Sequence, residues 1–224
     1  MRKFVIIVAG GTGKRMGYQV PKQFIEINGF PILMYTIKNF YNYDKSLKIV
    51  VGLPENQIDK WGVLCKKKNF TIGHKIIKGG ENRFLTVKNC LTALPQNAVV
   101  AVHDGVRPFV SHETVEKCFL VATDKGSSIP VIGIKESLRF IHNTENKSVN
   151  RNHYKIVQTP QTFHSEILKK SYNSEFKDKF TDDASVVENC GYSIYTVDGN
   201  PENIKITTPE DLILAEYYVK TLKL

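Results

Sequence analysis

Through the first half of the chain, short apolar runs alternate with helically spaced apolar positions. The runs Phe4–Ala9, Leu47–Leu53, Lys75–Ile77, Ala98–His103 and Ser128–Ile132 have the length and the Val/Ile content of buried strands. Between them, Ile32, Leu33, Tyr35, Thr36, Ile37 and Phe40 share one helical face. So do Ile58, Trp61, Leu64 and Cys65, and then Phe84, Val87, Leu91 and Leu94. Glu113–Ala122 extends the series. Strand–helix repeats with short links predict an α/β fold, a mostly parallel sheet with helices on both faces.

The alternation stops after Ile134. Ser137–His142 and Ser148–Asn150 read as two short strands around Asn143-Thr144-Glu145-Asn146-Lys147, which has the composition of a turn. A lone two-stranded hairpin is marginal, so this one needs a partner, and a second subunit is the simplest. Asn203–Thr207 reads as a strand ahead of a last helix. That helix opens at Thr208-Pro209-Glu210-Asp211, where threonine caps, proline suits the first turn and the acids suit the positive end of the dipole. Thr181-Asp182-Asp183-Ala184 opens another in the same way.

A length of 224 residues predicts one domain over residues 1–224, large enough to bury a core without disulfides or metals. No apolar run reaches membrane-span length. Phe4–Val8 leads into the polar, patterned stretch Gly10–Met16, so it reads as a first strand and not a signal peptide. Cys65, Cys90, Cys118 and Cys190 show neither C-x-x-C spacing nor an accompanying histidine pattern. They read as free thiols in a reducing compartment, the cytoplasm. The net charge of +9 suits nucleic acid or a phosphorylated small molecule equally. No RNA-binding aromatic motif, zinc finger or helix-turn-helix accompanies it, so neither nucleic acid nor a membrane is the expected partner.

The chemistry concentrates just after the first strand, in Val8 to Phe24. The dinucleotide fingerprint fails there because Gly11 and Gly13 are followed by a glycine one residue too late, at Gly17. The P-loop fails because Arg15 follows Lys14 and Val8 occupies its first glycine position. What remains is a loop whose Gly10, Gly11 and Gly13 offer backbone N–H groups to a polyphosphate, with Lys14, Arg15 and Lys22 adding charge. Local cations in this number suit a reaction that shifts negative charge, such as transfer at phosphorus.

Six blocks, AGGTGKRMG, PKQF, HDGVRPFV, QTPQTF, TDDAS and NIKITTPEDL, run in order from Ala9 to Leu212. Together they resemble the 2-C-methyl-D-erythritol 4-phosphate cytidylyltransferases of non-mevalonate isoprenoid synthesis. The resemblance implies transfer of a cytidylyl group from CTP to a polyol phosphate, Mg²⁺ on the triphosphate, and a Rossmann-like sheet. It also implies a β-arm, here about residues 135–152, exchanged between two subunits of a homodimer. By the same resemblance Arg15 and Lys22 stabilise the transition state, and Arg151 and Lys205 position the acceptor phosphate. Ala9, Gly10, Gly11, Gly13 and Lys14 belong to the nucleotide loop, and Gly79, Gly80, Glu81 and Thr86 to the base pocket. Asp104 lies near the ribose and metal, and Arg107, Ser137 and Thr159 near the acceptor. Ser137 stands where the family typically has threonine, and Gly105 where alanine is common.

Two alternatives stay open at this level. Ribitol-5-phosphate cytidylyltransferases share the opening loop, the Arg-Pro block and Gln-Thr-Pro-Gln, and differ in the acceptor. A non-catalytic nucleotide- or RNA-binding domain accounts for the charge and the glycines, but not for Arg15, Lys22, Arg151 and Lys205 matching together.

Overall fold

The computed structural model describes residues 1–10 and 20–222. Strand β1 (Arg2–Val8) is followed by a small hairpin, β2 (Glu26–Ile27) and β3 (Phe30–Pro31), and by α1 (Ile32–Tyr43). Next come β4 (Lys48–Leu53), α2 (Glu55–Lys67), β5 (Lys75–Lys78), α3 (Arg83–Leu91), β6 (Ala98–Asp104), α4 (His112–Lys125) and β7 (Ser127–Gly133). The arm is β8 (Leu138–His142) and β9 (Glu145–Val149). The chain then makes β10 (Lys155–Val157), β11 (Gln161–His164), α5 (Ser165–Tyr172), α6 (Asp183–Glu188), β12 (Thr196–Asp198) and α7 (Pro209–Thr221).

The main sheet has strand order β10-β7-β11-β6-β1-β4-β5, with β12 pairing β7 off that path. Alternation along β1 builds the layers. Val5 and Ile7 point to a core shared with α1, α2 and α4, including Phe40, Trp61 and Phe119. Phe4 and Ile6 point the other way, to Phe84 of α3, Tyr172 of α5 and Val187 of α6. The result is the expected three layers around a mostly parallel sheet. A third cluster seats α7, where Ala215 and Val219 meet Ile206, Val106 and Ile32.

The five strands expected in the first half form within two residues of their sequence bounds. The structure adds one strand and corrects three other readings. Between β6 and β7 lies β11, antiparallel to both. Its inward residues include Gln161 and Thr162, both buried, so no apolar run announced it. Asn203–Thr207 forms no strand; it is tied to the turn after β6 by Ile206 N–H donating to the Val106 carbonyl at 3.0 Å. The arm turn is two residues, Asn143 and Thr144, because His142 pairs directly with Glu145. Asn143 takes the left-handed conformation (φ 51°) that asparagine tolerates, which frees Glu145–Lys147 to join the strand. The α6 cap is Asp182, whose carboxylate accepts from Ser185 N–H in a reciprocal capping box.

Candidate active site

β1 lies between β4 and β6, so the chain leaves it toward one side first and the other later. A ligand crevice opens at the carboxyl ends of strands at such a switch point. Val8 and Asp104 are register partners there, and Gly105 N–H donates to the Val8 carbonyl at 2.9 Å. Asp104 therefore stands beside the residues that enter the glycine-rich loop. Of that loop, Gly11, Gly13, Lys14 and Arg15 lie outside the described residues. Ala9 and Gly10 lie at the mouth of the cleft.

Among the described residues, four cationic side chains line the cleft with Asp104. Lys22 sits on a short turn, Lys22–Phe24, after Pro21. Lys205 Nζ approaches Asp104 Oδ2 at 2.9 Å, and Arg107 Nε reaches the same oxygen at 3.2 Å. Arg83 Nε lies 3.4 Å from Oδ1. Burial alone would raise the carboxyl pKa of Asp104. Arg83, Lys205 and Arg107 outweigh it and hold the group well below the ordinary carboxylate range. Asp104 is thus a carboxylate at every working pH.

The support behind this cluster is polar and buried. Arg107 Nη1 donates to the Asn203 carbonyl at 2.8 Å, and Asn203 Nδ2 donates to the Thr159 carbonyl at 2.8 Å. His103 is fully buried, and burial pulls its pKa down to about 4, so the ring is neutral. Its Nε2 faces the Arg107 carbonyl at 2.8 Å, which can only accept. Nε2 therefore carries the proton, and Nδ1 accepts from the Thr159 hydroxyl at 3.0 Å. The same hydroxyl accepts from Asp104 N–H at 3.2 Å. Thr159 lines the cleft, but its proton is already committed to His103 Nδ1 and its oxygen to the Asp104 N–H.

The cleft has two halves. One holds Ala9, Gly10, Lys22 and Asn82, and encloses about 160 Å³. The other holds Arg107, Gln158, Thr159 and Thr181, and encloses about 270 Å³. Arg83, Asp104 and Lys205 line both and form the wall between them. A larger hollow of about 710 Å³ lies between α1 and residues 68–72. Its walls carry no comparable convergence of charge, and we place the chemistry at the smaller, charged cleft.

The proposed base pocket is brought to the same place. A Cβ built on Gly10 would lie 3.6 Å from Thr86 Oγ1. Thr86 is buried, and its hydroxyl accepts from Gly80 N–H at 3.1 Å and donates to the Asn82 carbonyl at 2.8 Å. It shapes the Gly79-Gly80-Glu81 turn from inside, while Glu81 is exposed. Arg151 and Ser137 do not reach their own chain's cleft. Both are exposed at the foot of the arm, where the Arg151 guanidinium donates to the Lys135 carbonyl.

Among the described residues, no group of three or more His, Cys, Asp or Glu side chains converges as a metal cage. Asp104 already accepts from three cations. This donor set suits a divalent cation that arrives with phosphate ligands of its own. No helix of the described residues is long and apolar enough to cross a membrane.

Reading the sequence missed Arg83, Asp183, Gln23 and Asn203. Arg83 carried one signal. It opens α3, where a cation opposes the helix dipole and therefore needs acidic partners.

Residues 3–221 match the family model for 2-C-methyl-D-erythritol 4-phosphate cytidylyltransferase. The chain is 49% identical over 215 residues to the Bacteroides fragilis protein of that name, covering 96% of this chain and 98% of the relative. It is 41% identical to the corresponding protein of Clostridium perfringens, over 96% and 97% of the two chains. The solved 4-diphosphocytidyl-2C-methyl-D-erythritol synthase of Anaerococcus prevotii superposes with a TM-score of 0.83 at 28% identity, covering 98% and 96%. The Thermus thermophilus 2-C-methyl-D-erythritol 4-phosphate cytidylyltransferase gives 0.78 at 27%, covering 98% and 100%. With the charged cleft and the arm in the order their sequence blocks imply, this chain belongs to the 2-C-methyl-D-erythritol 4-phosphate cytidylyltransferase family.

Proposed function

We propose that the protein transfers the cytidylyl group of CTP to 2-C-methyl-D-erythritol 4-phosphate and releases pyrophosphate. The observation that carries this reading is the gathering of Lys22, Arg83, Arg107 and Lys205 around Asp104 at the switch point. The half lined by Ala9 and Gly10 takes the nucleotide, and the half lined by Arg107 and Thr181 takes the acceptor. An acceptor phosphate oxygen attacks the α-phosphorus. The bond from that phosphorus to the bridging oxygen breaks, and its electron pair leaves with pyrophosphate. Lys22, and Arg15 by family resemblance, face the charge that builds on the α-phosphate and the leaving group. Arg107 and Lys205 outnumber the single charge of Asp104, so they retain attraction for the acceptor phosphate.

Mg²⁺ bound to the triphosphate would shield its charge, and Asp104 is the carboxylate that would hold it or the ribose. The working unit we propose is a cytoplasmic homodimer. The arm exposes Phe140 and Ile141, 41% and 70% accessible, which is apolar surface suited to a second copy. Arg151 and Ser137 would then serve the neighbour's cleft.

The test is pyrophosphate release from CTP and Mg²⁺ with methylerythritol phosphate, ribitol phosphate or no acceptor. Release with methylerythritol phosphate alone is expected. Release with ribitol phosphate would keep the mechanism and change the substrate. Release with neither, from folded protein, would overturn the reading.

A further inference from the structure

Arg83 joins two carboxylates from different layers of the fold. Its Nε lies 3.4 Å from Asp104 Oδ1, at the end of β6. Its Nη1 and Nη2 meet Asp183 Oδ1 and Oδ2 at 2.9 and 2.6 Å, a two-pronged pairing that sets the plane of the guanidinium. Asp183 is completely buried in the first turn of α6. Tyr172, at the end of α5, donates its hydroxyl to Asp183 Oδ1 at 2.6 Å. Burial, with Asp183 beside it, keeps that phenol protonated. The Tyr172 ring stacks on Phe84, the residue after Arg83, with centroids 4.6 Å apart. Three helices thus converge on one guanidinium, and only its far side touches the cleft.

We propose that Arg83 is a positioning residue, fixed from behind by Asp183 and Tyr172, that sets the Asp104 carboxylate in the wall between the nucleotide and acceptor halves. Lysine cannot replace it, because a point charge holds one carboxylate and not both in a fixed plane. Tyr172 lines neither half of the cleft, so any effect of its hydroxyl on nucleotide binding passes through Asp183 and Arg83. The proposal rests on the reading that CTP binds beside Asp104.

The experiment measures CTP affinity by calorimetry with Mg²⁺, pyrophosphate release, and melting temperature for the parent, Tyr172→Phe, Arg83→Lys and Asp183→Asn. Tyr172→Phe is expected to weaken CTP binding about threefold to tenfold with little change in melting temperature, the scale of one lost hydrogen bond to a charged group acting at a distance. Arg83→Lys is expected to weaken it by about tenfold or more despite keeping the charge. Asp183→Asn tests the same link if it folds, and Tyr172→Phe keeps the test sharp if it does not. Parental CTP affinity in both Tyr172→Phe and Arg83→Lys would overturn the proposal. A parent that binds CTP but releases no pyrophosphate would overturn the reaction and leave the affinity comparison to judge Arg83. A parent that does not bind CTP would overturn both.

Discussion

The Gln23 side-chain amide donates to the Ala9 carbonyl at 2.8 Å and so ties the turn that carries Lys22 to the end of β1. Its Nε2 also donates to Gln57 Oε1 at 2.6 Å, and the neighbouring Phe24 stacks on Trp61 with centroids 5.7 Å apart. Lys22 therefore stands on a base fixed by other residues. Lys22→Ala should keep the parental melting temperature and lose about 10²–10³ in turnover, the usual effect of removing one transition-state donor. A loss within about threefold would remove Lys22 from that role.

His103 makes stability depend on pH. An unfolded histidine takes up a proton near its ordinary value of 6.5, whereas the buried ring resists until about 4. The unfolded chain therefore binds more protons in between, and stability falls as pH drops from about 6.5 to about 4. The loss is up to about 3 kcal/mol from this group. His74, also lowered by burial, adds to it in the same sense. The depressed Asp104 contributes stability that is present above the ordinary aspartate pKa and is lost only in stronger acid, so it leaves this window untouched. Urea midpoints at several pH values should show the slope in the parent and a shallower one in His103→Gln.

Gly80 is tightly enclosed. A Cβ there would sit 2.3 Å from Leu85 Cβ and 3.0 Å from the Leu85 carbonyl carbon, inside the first turns of α3. Gly80→Ala must push that helix, and Arg83 moves with it. We expect a destabilisation of about 1–3 kcal/mol and weaker CTP binding. Parental values for both would show that the turn has slack.

The arm can be tested by mixing inactive variants. Lys22→Ala damages the cleft, and Arg151→Ala damages the foot of the arm. If the arm serves the neighbouring cleft, a mixed dimer holds one intact site and one doubly damaged site. Random re-assortment should restore about a quarter of parental activity in a two-fold dimer. No recovery on mixing, with dimers confirmed by sedimentation, would place Arg151 in its own chain's site.

The carboxylate wall was only partly legible beforehand. Asp104 and Lys205 stood out through motif blocks, but nothing linear links Lys205 to Asp104 Oδ2, since the segment that carries it is not a strand. Thr159 was marked as an acceptor contact, whereas its hydroxyl holds His103 and Asp104. Arg83, Asp183 and Tyr172 escaped because a polar side chain has no periodicity of its own. Its meaning comes from what burial leaves it to bond with.

The sequence by itself determined the layers. Strict alternation in Phe4–Val8 sends successive side chains to opposite faces, and the helical spacings supply the two layers that cover them. It also determined the helix start at Thr208, and the one at Asp182 to within a residue, because a cap is a contact between residues three apart. Tertiary structure alone decided the insertion of β11 between β6 and β7, and the closing of Arg83 on Asp183 a hundred residues away. Those pairings answer the demand that buried hydrogen-bonding groups find partners, and which partners are within reach is known only once the chain has packed.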